Sequence, residues 1–531
     1  MSKELLAREA LAQIPKLLTL LDRNPHSPTF GCFDRNYWHY RVIDFPSGMS
    51  QEFVWPLALA FDTSCEGNVF YHQQSLRDWV RAGISFAARS SRPDGSCDDY
   101  YPFERAGGAA AFSLLAAAES YRLLELVDEE ACRFFERRAD WLAQHHESGR
   151  LSNHQALIAL SLELVSRLLN TSKWEASIAA RIERVLSWQS DEGWFPEYEG
   201  FDPGYHTLTL WCLARLHESR PLPRLREAIE RAVRLSGELI HPDGTYGGEY
   251  GSRNTYNFFP DAFELTGRWM PEALAINDRF LEAVARGLLP CYSDDHIIGH
   301  HAWNYFLAFR NFVEPRPESE KPRPAGRVWL KHAGILIDRR GTTELFVALN
   351  KGGVFKIFRD GVIVASDTHL SLVVESGGHK RTAVGHLIDK YTARMTDDEI
   401  VVEGSLGWAK QELMTTGKLV VLRLVMQFFG RFFPNLIRSR LQKRLITGKS
   451  TAPFEFKREF AYSNGRWKVS DELRADDWFA VESAGIGCDQ TSIYVVMSRT
   501  FQIGQLAGWR DLTPEVRSLQ PGQPLTVERI I

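Results

Sequence analysis

Up to about residue 313 the apolar positions recur with the three-to-four-residue period of amphipathic helices. AAAFSLLAAAESYRLLELV (109–127), HQALIALSLELVSRLL (154–169) and LREAIERAVRLSGELI (225–240) are examples. Glycine-bearing loops of similar flavour interrupt them: FPSGMSQ, RPDGSCDDYYPFE, ESGRLSNHQ, SDEGWFPEYEG, HPDGTYGGEYGSRN and YSDDHIIGHHAW. Their glycines, Gly48, Gly95, Gly149, Gly193, Gly244 and Gly299, stand 44 to 55 residues apart, the length of two helices and two connections. Six such units stack as antiparallel helix pairs and close into an (α/α)6 toroid with the marked loops on one rim. An open helical array is the other arrangement of the same period.

Beyond the Pro- and charge-rich linker EPRPESEKPRPAG, residues 314–326, the period changes to two. AGILIDRRGTTELFVALN, GGVFKIFRDGVIVAS, HLSLVVESG, TDDEIVVEGSLG and TSIYVVMSR are short, β-branched and punctuated by turns, and predict an antiparallel β-sandwich over 327–531. The expected fold class is multidomain α + β, a toroid over 1–313 followed by the sandwich. One segment, about 413–450, follows neither pattern. It has no acidic residue, yet carries Lys418, Arg423, Arg431, Arg438, Arg440, Lys443, Arg444 and Lys449, interleaved with Val420, Leu424, Phe428, Phe429, Phe432 and Phe433. This predicts a basic amphipathic helical insertion, broken at Pro434. Two readings fit it: docking on an anionic membrane surface, or helices packed on the sandwich with their cations in solvent.

Composition narrows the function little. The 531 residues carry 63 basic against 67 acidic side chains, a formal charge of -4, so the balance asks for no polyanion and nucleic acid is not an expected partner. Aromatics reach 12%, with 15 Trp, which suits sugar-stacking platforms and ordinary cores alike. The seven cysteines are odd in number and lack metal spacing, so neither a disulfide framework nor a zinc site is expected, and no cofactor is called for; a calcium site has no support either. The N-terminal MSKELLAREALAQIPKLLTLLD reads as an amphipathic helix rather than a leader, and no apolar run approaches a membrane span. The expectation is a cytoplasmic protein whose membrane contact, if any, is peripheral and on the inner face.

Chemistry concentrates in DEGWFPEYEGFDPGYHTLTLW, from Asp191 to Trp211. The stretch begins as a turn, then places Glu197 and a Tyr205–His206 pair at a helix mouth. In RLSNHQALIAL of the preceding marked loop, Asn153 and His154 also stand just before a helix, and a toroid brings the two loops side by side. Each residue has an ordinary role too: Asn153 is a good N-cap, and Tyr205 and His206 can pack a helix start. Asp98, Asp99, Glu104, Asp191 and Glu197 are cleft or cap carboxylates. Arg105, Trp194 and Tyr250 are candidate substrate contacts. Arg253 and Asn254 either grip a substrate carboxylate or pin their glycine-rich loop, and His300, His301 and Trp303 read first as packing and second as substrate contacts.

A helical toroid followed by a β-sandwich resembles the heparinase II/III-like polysaccharide lyases, the alginate lyases and dermatan sulfate epimerase. DEGWFPEYEGFDPGYHTLTL is similar to that family's Asp/Gly turn, Glu and Tyr-His pair, and NHQA to its upstream Asn/His segment. The resemblance implies an acidic, uronate-containing glycan as partner. It also implies removal of the proton on C5, next to the carboxylate, followed by loss of O4 (elimination) or return of the proton to the opposite face (epimerisation). That proton is very weakly acidic, so donors must stabilise the enolate-like intermediate, a role that falls to Asn153. Tyr205 would be the acid, and also the base where both events occur on one face; His154 would be base or neutraliser, and His206 would set the surroundings of Tyr205.

The sequence departs from the family in two places. A histidine-rich GHGHxD-like strand is replaced by NKGGVFKIFRDG, leaving His369 and His379 as substitutes with unmatched spacing, and no secretion signal is read. Surface-polysaccharide metabolism, on a glycan carried by a lipid, would suit a cytoplasmic enzyme with a membrane-docking segment. The other functions the sequence allows are a toroid glycoside hydrolase pairing Asp99 or Glu104 with Asp191 or Glu197, and a non-catalytic glycan-binding protein of polysaccharide assembly.

Overall fold

The computed structural model describes residues 3–531 apart from 148, 199, 293–295, 318–322, 377, 389, 410–412, 434–435, 438–439, 441–448, 489–500 and 507. The N-terminal part is helical. In order come α1 (Glu4–Leu20), α2 (Arg35–Trp38), α3 (Val54–Asp62), α4 (Gln74–Ser90), α5 (Gly107–Leu123), α6 (Glu129–Gln144) and α7 (Ser152–Leu168). α8 (Glu175–Trp188), α9 (Pro203–Ser219), α10 (Pro223–Leu239), α11 (Pro260–Gly267), α12 (Pro271–Ala285) and α13 (Ile298–Arg310) follow. Among the described residues α3, α5, α7, α9, α11 and α13 each pack on the next, and α13 returns to α3, so the ring closes. The helices α1, α4, α6, α8, α10 and α12 pack outside it, making an (α/α)6 toroid rather than an open array.

Side-chain pattern decides which helix goes where. α5 reads GGAAAFSLLAAAESYRL and is buried at every position from Gly107 to Ser120, since a helix enclosed on all sides has no use for a polar face. α10 carries one apolar stripe through Leu225, Ile229, Ala232, Val233 and Leu239, with Arg224, Glu227, Arg231 and Arg234 turned to solvent. Of the marker glycines, Gly95, Gly193 and Gly244 hold turns pressed against the outer helices. Gly193 (φ 95°) and Gly244 (φ 82°) are left-handed, and a Cβ there would lie 2.8 Å from the Arg231 carbonyl oxygen and 2.1 Å from that of Arg279.

Every inner helix is entered from one of these loops, so the loops share a rim and bond to one another in turn. Gly48 N donates to Asp98 O (2.8 Å), Tyr198 N to Arg150 O (2.8 Å), Ser252 N to Phe201 O (2.8 Å) and the Tyr292 hydroxyl to Tyr256 O (3.0 Å). A small hairpin, β1 (Pro196–Glu197) and β2 (Gly200–Phe201), stiffens the loop before α9.

Two antiparallel sheets follow. β3 (Gly326–Leu330), β4 (Ile335–Arg340), β5 (Thr343–Ala348), β6 (Val354–Arg359) and β7 (Val362–Asp367) pair consecutively. The larger sheet contains β8 (Leu370–Ser376), β9 (His379–Val384), β10 (Thr392–Met395), β11 (Glu399–Trp408), β12 (Thr451–Ser463), β13 (Arg466–Arg474), β14 (Val481–Ile486), β15 (Arg510–Asp511) and β16 (Leu525–Ile530). Its order is β15-β14-β8-β9-β11-β12-β13-β16, with β10 on β11.

The five-stranded sheet is buried on both faces. Leu336, Leu345, Val347, Phe355 and Ile357 point into the sandwich, while Ile335, Ile337, Phe346, Ala348, Val354 and Phe358 join the toroid core. That shared sheet brings Lys351, just before β6, against the toroid rim. Between β11 and β12 the chain leaves the sheet as α14 (Thr416–Val425) and one π turn, Met426–Gly430, where the basic insertion was expected. Pro434, Arg438, Lys443 and Arg444 lie outside the described residues, as does TSIYVVMSR.

Candidate active site

Asp202 caps the N-terminus of α9. One carboxylate oxygen accepts from Tyr205 N (3.1 Å) and from the Thr255 hydroxyl; the other accepts from Arg253 N (2.9 Å) and Thr255 N (3.4 Å). Fully buried, it joins the mouth of α9 to the loop before α11 and so fixes Tyr205 relative to Arg253. The sequence reading passed over Asp202, although an Asp followed by Pro at a helix start carries that signal.

Glu197 lies at the centre. A bridge between Leu151 and Glu197 sets β1 beside the start of α7, where Asn153 Nδ2 donates to Glu197 Oε2. Burial pushes the Glu197 carboxyl up to about 7; Asp202 adds to the rise, while Arg253, His154 and the Asn153 bond oppose it. Tyr205 shares these neighbours. Burial raises its phenol well above the usual range, Glu197 and Asp202 raise it further, and Arg253 opposes them.

Arg253 is 3% exposed, and its guanidinium lies 4.4 Å from the Tyr198 ring centroid. Its Nε and Nη2 have no hydrogen-bond partner among the described residues. Buried donors left without acceptors are unfavourable by about 1–3 kcal/mol or more, so an arrangement that keeps two of them suits an incoming acceptor such as a carboxylate. His154 completes the group: its Nδ1 bonds Glu147 Oε2, and its ring rests on Gly108, where a Cβ would lie 2.7 Å from Cε1. Asn153 by a hydrogen bond, and His154, Tyr205 and Arg253 by electrostatic proximity, thus gather about Glu197.

With this geometry in place, solved structures give the comparison. A xanthan lyase from Paenibacillus aligns over 99% of this chain and 57% of its own, at 11% identity and a TM-score of 0.50. Chondroitin AC lyase of Streptomyces coelicolor A3, solved in complex with chondroitin sulphate, aligns over 91% and 67%, at 12% identity and 0.50. The chain has the fold of the (α/α)6 toroid polysaccharide lyases. A cellobiose 2-epimerase from Bacillus thermoamylovorans B4167 covers 56% of this chain and 97% of its own, at 9% identity and a TM-score of 0.44. This chain therefore spans little more than half the length of the xanthan lyase. No family model matches the sequence, and no curated protein matches it.

On this lyase fold several expected site residues stand elsewhere. His206 is a core residue: its Nε2–H donates to Ala232 O in α10 (3.1 Å), it packs between Phe195 and Phe201, and burial lowers it to about 4. Tyr250 is buried beneath the sandwich, hydrogen-bonded to His241 (3.0 Å) and stacked on Phe346. Trp194 donates to Glu192 (2.8 Å), which also accepts from His332 N and Ala333 N, so the indole marks the joint between toroid and sandwich. Arg105 pairs with Asp94 (3.1 Å) within its own loop.

Glu104 accepts from Asp99 N (3.2 Å) and Tyr100 N (2.7 Å), and Asp99 from the Ser47 hydroxyl (2.6 Å) and Met49 N (3.3 Å). Asn254 accepts from Lys351 and pins its loop. His301 stacks on Tyr292 and Trp303 on Trp55, both in the core. Across the ring, His300 Nδ1 lies 2.6 Å from Glu52 Oε1, a buried pair that sequence reading missed. In the sandwich, His369 is enclosed and His379 is exposed on β9. Among the described residues no three His, Cys, Asp or Glu side chains cluster as a metal would require.

Proposed function

We propose that the protein acts on a uronate-containing glycan by C5-proton abstraction, completed by β-elimination or by epimerisation. The observation that carries this reading is Arg253, whose two buried, unpartnered guanidinium nitrogens lie in the same group as Tyr205 and Asn153. The uronate carboxylate would take the Arg253 donors, and the Asn153 amide would stabilise the enolate-like intermediate. The direction of the Tyr205 shift separates the two proton-transfer roles. A phenol raised so far keeps its proton and serves as acid toward O4, so the base toward C5 falls to His154, backed by Glu147.

In elimination His154 takes the C5 proton, the electron pair forms the C4–C5 double bond, the C4–O4 bond breaks, and the Tyr205 proton goes to O4. In epimerisation C4–O4 stays intact and a proton returns to C5 from the other face. The hydrolase reading is weaker, because Asp99 and Glu104 are taken up by Ser47 and by backbone donors while Asp191 is exposed in its turn. A cytoplasmic setting and a lipid-carried glycan of surface-polysaccharide assembly complete the proposal.

Incubation with uronate-containing glycans tests it. Ultraviolet absorbance of an unsaturated product marks elimination, and solvent deuterium at C5 without cleavage marks epimerisation. Binding of such glycans with neither signal would make this a binding protein instead.

A further inference from the structure

The insertion between β11 and β12 is the largest feature the proposed reaction does not use. α14 has no buried residue. Leu419, Val420, Val421 and Leu424 are exposed along it, and Phe428, Phe429, Phe432 and Phe433 after it are each 61–62% exposed. Contiguous exposed apolar surface of this kind marks an interaction site. The segment's own charge has one sign: no acidic residue occurs from 413 to 454, while Lys418, Arg423, Arg431, Arg440 and Lys449 are spread through the described part. The Arg431 guanidinium lies 4.4 Å from the Phe432 ring centroid, so cation and aromatic face the same place.

The insertion is also fastened. Arg423 pairs with Asp44 (2.6 Å) and lies over the Phe45 ring, in the loop that leads to Ser47 and its bond to Asp99 on the toroid rim. α14 therefore sits at the rim that carries the candidate active site.

We infer that 413–433 is a peripheral membrane anchor whose partner is an anionic lipid bilayer. The phenylalanines enter the boundary between headgroups and acyl chains, and the cations meet the headgroups. Charge selects this occupant. A second copy of the chain would bring the same net positive segment against the first, whereas an anionic bilayer offers both an apolar layer and countercharge. No helix of the described residues is long and apolar enough to cross a membrane, so the contact is with the surface. Membrane docking does not depend on the reaction proposed above.

The test uses the full chain, co-sedimented with phosphatidylcholine vesicles and with vesicles that also contain phosphatidylglycerol, at low and high salt. Binding should require phosphatidylglycerol, weaken with salt, and fall about tenfold or more when Phe428, Phe429, Phe432 and Phe433 are all replaced by Ser. Lys418→Gln with Arg431→Gln should lower it about tenfold at low salt if each cation contributes as lipid-facing cations do. All six side chains are exposed, so both variants should keep the wild-type melting temperature. Absence of binding to phosphatidylglycerol vesicles at low salt, binding unchanged in both variants, or self-association that the Phe variant abolishes would overturn the anchor.

Discussion

Lys351 of the sandwich holds the toroid loop that carries Arg253: its Nζ lies 2.6 Å from Asn254 Oδ1, 2.6 Å from Glu249 O and 2.8 Å from Gly251 O. Burial lowers the ammonium to about 7, with Asp202 and Glu249 opposing the shift. The second domain thus aims a residue of the first. Lys351→Met keeps the side chain's length and removes its three hydrogen bonds. Because loosening the loop affects substrate capture before it affects proton transfer, KM should rise about tenfold, the equivalent of one such lost bond, with a smaller change in kcat. Steady-state kinetics decide it; a loss confined to kcat would show that Lys351 does not act through Arg253.

Tyr205→Phe deletes one oxygen at the mouth of α9 and leaves the Asp202 cap intact. Turnover should fall about 10²-fold or more with an unchanged circular dichroism spectrum, and His154→Ala should behave similarly. Wild-type rates in both variants would remove the proton-transfer roles assigned here.

Arg253→Lys tests the carboxylate site. Lysine keeps the charge but loses the planar fork, so kcat/KM should drop about 10-fold to 10²-fold for a uronate substrate. A methyl-esterified substrate, which carries no anion, should lose much less. Equal losses on both substrates would mean that Arg253 only props its loop over Tyr198.

Much of the fold is legible in the residue pattern, because the repeat is marked by loop glycines, three of which (Gly95, Gly193 and Gly244) are required by turns against the outer helices, and the sandwich by a period of two. The site is legible only where its residues are close in sequence. Tyr205 and His206 look like partners because they are adjacent, yet successive helix residues diverge by about 100°, which sends Tyr205 toward Glu197 and His206 into α10. The bond of Asn153 to Glu197 joins residues 44 apart, and Lys351 reaches Asn254 across 97; no local pattern reports either. Trp194 and Tyr250 show the same limit from the other side, since an aromatic that seals a domain joint has the composition of a sugar platform.

Glu197 gives the pH test, and its sign is fixed by the direction of its shift. The folded carboxyl stands at about 7 against an ordinary 4.5, so between those values the folded chain binds a proton that the unfolded chain has released. Its contribution to stability is therefore present below 4.5 and is lost as pH rises through about 7, a swing on the order of 3 kcal/mol. His206, lowered to about 4 from 6.5, and Lys351, lowered to about 7 from 10.5, act in the opposite sense, so the pH dependence of the wild type alone mixes these groups. Glu197→Gln isolates the carboxyl, because the amide resembles the protonated acid and leaves His206 untouched. The variant should match the wild type below about 4.5, become the more stable of the two as pH rises from 4.5 to about 7, and keep that margin above it. Activity should follow: ionised Glu197 repels the substrate carboxylate and competes for Arg253, so wild-type kcat/KM should decline above about 7, and that limb should be shallower in the variant, which keeps only the loss of the Lys351 charge. Thermal melts and pH–rate profiles of the two proteins provide the measurement, and superimposable pH dependences would show that Glu197 does not titrate in this window.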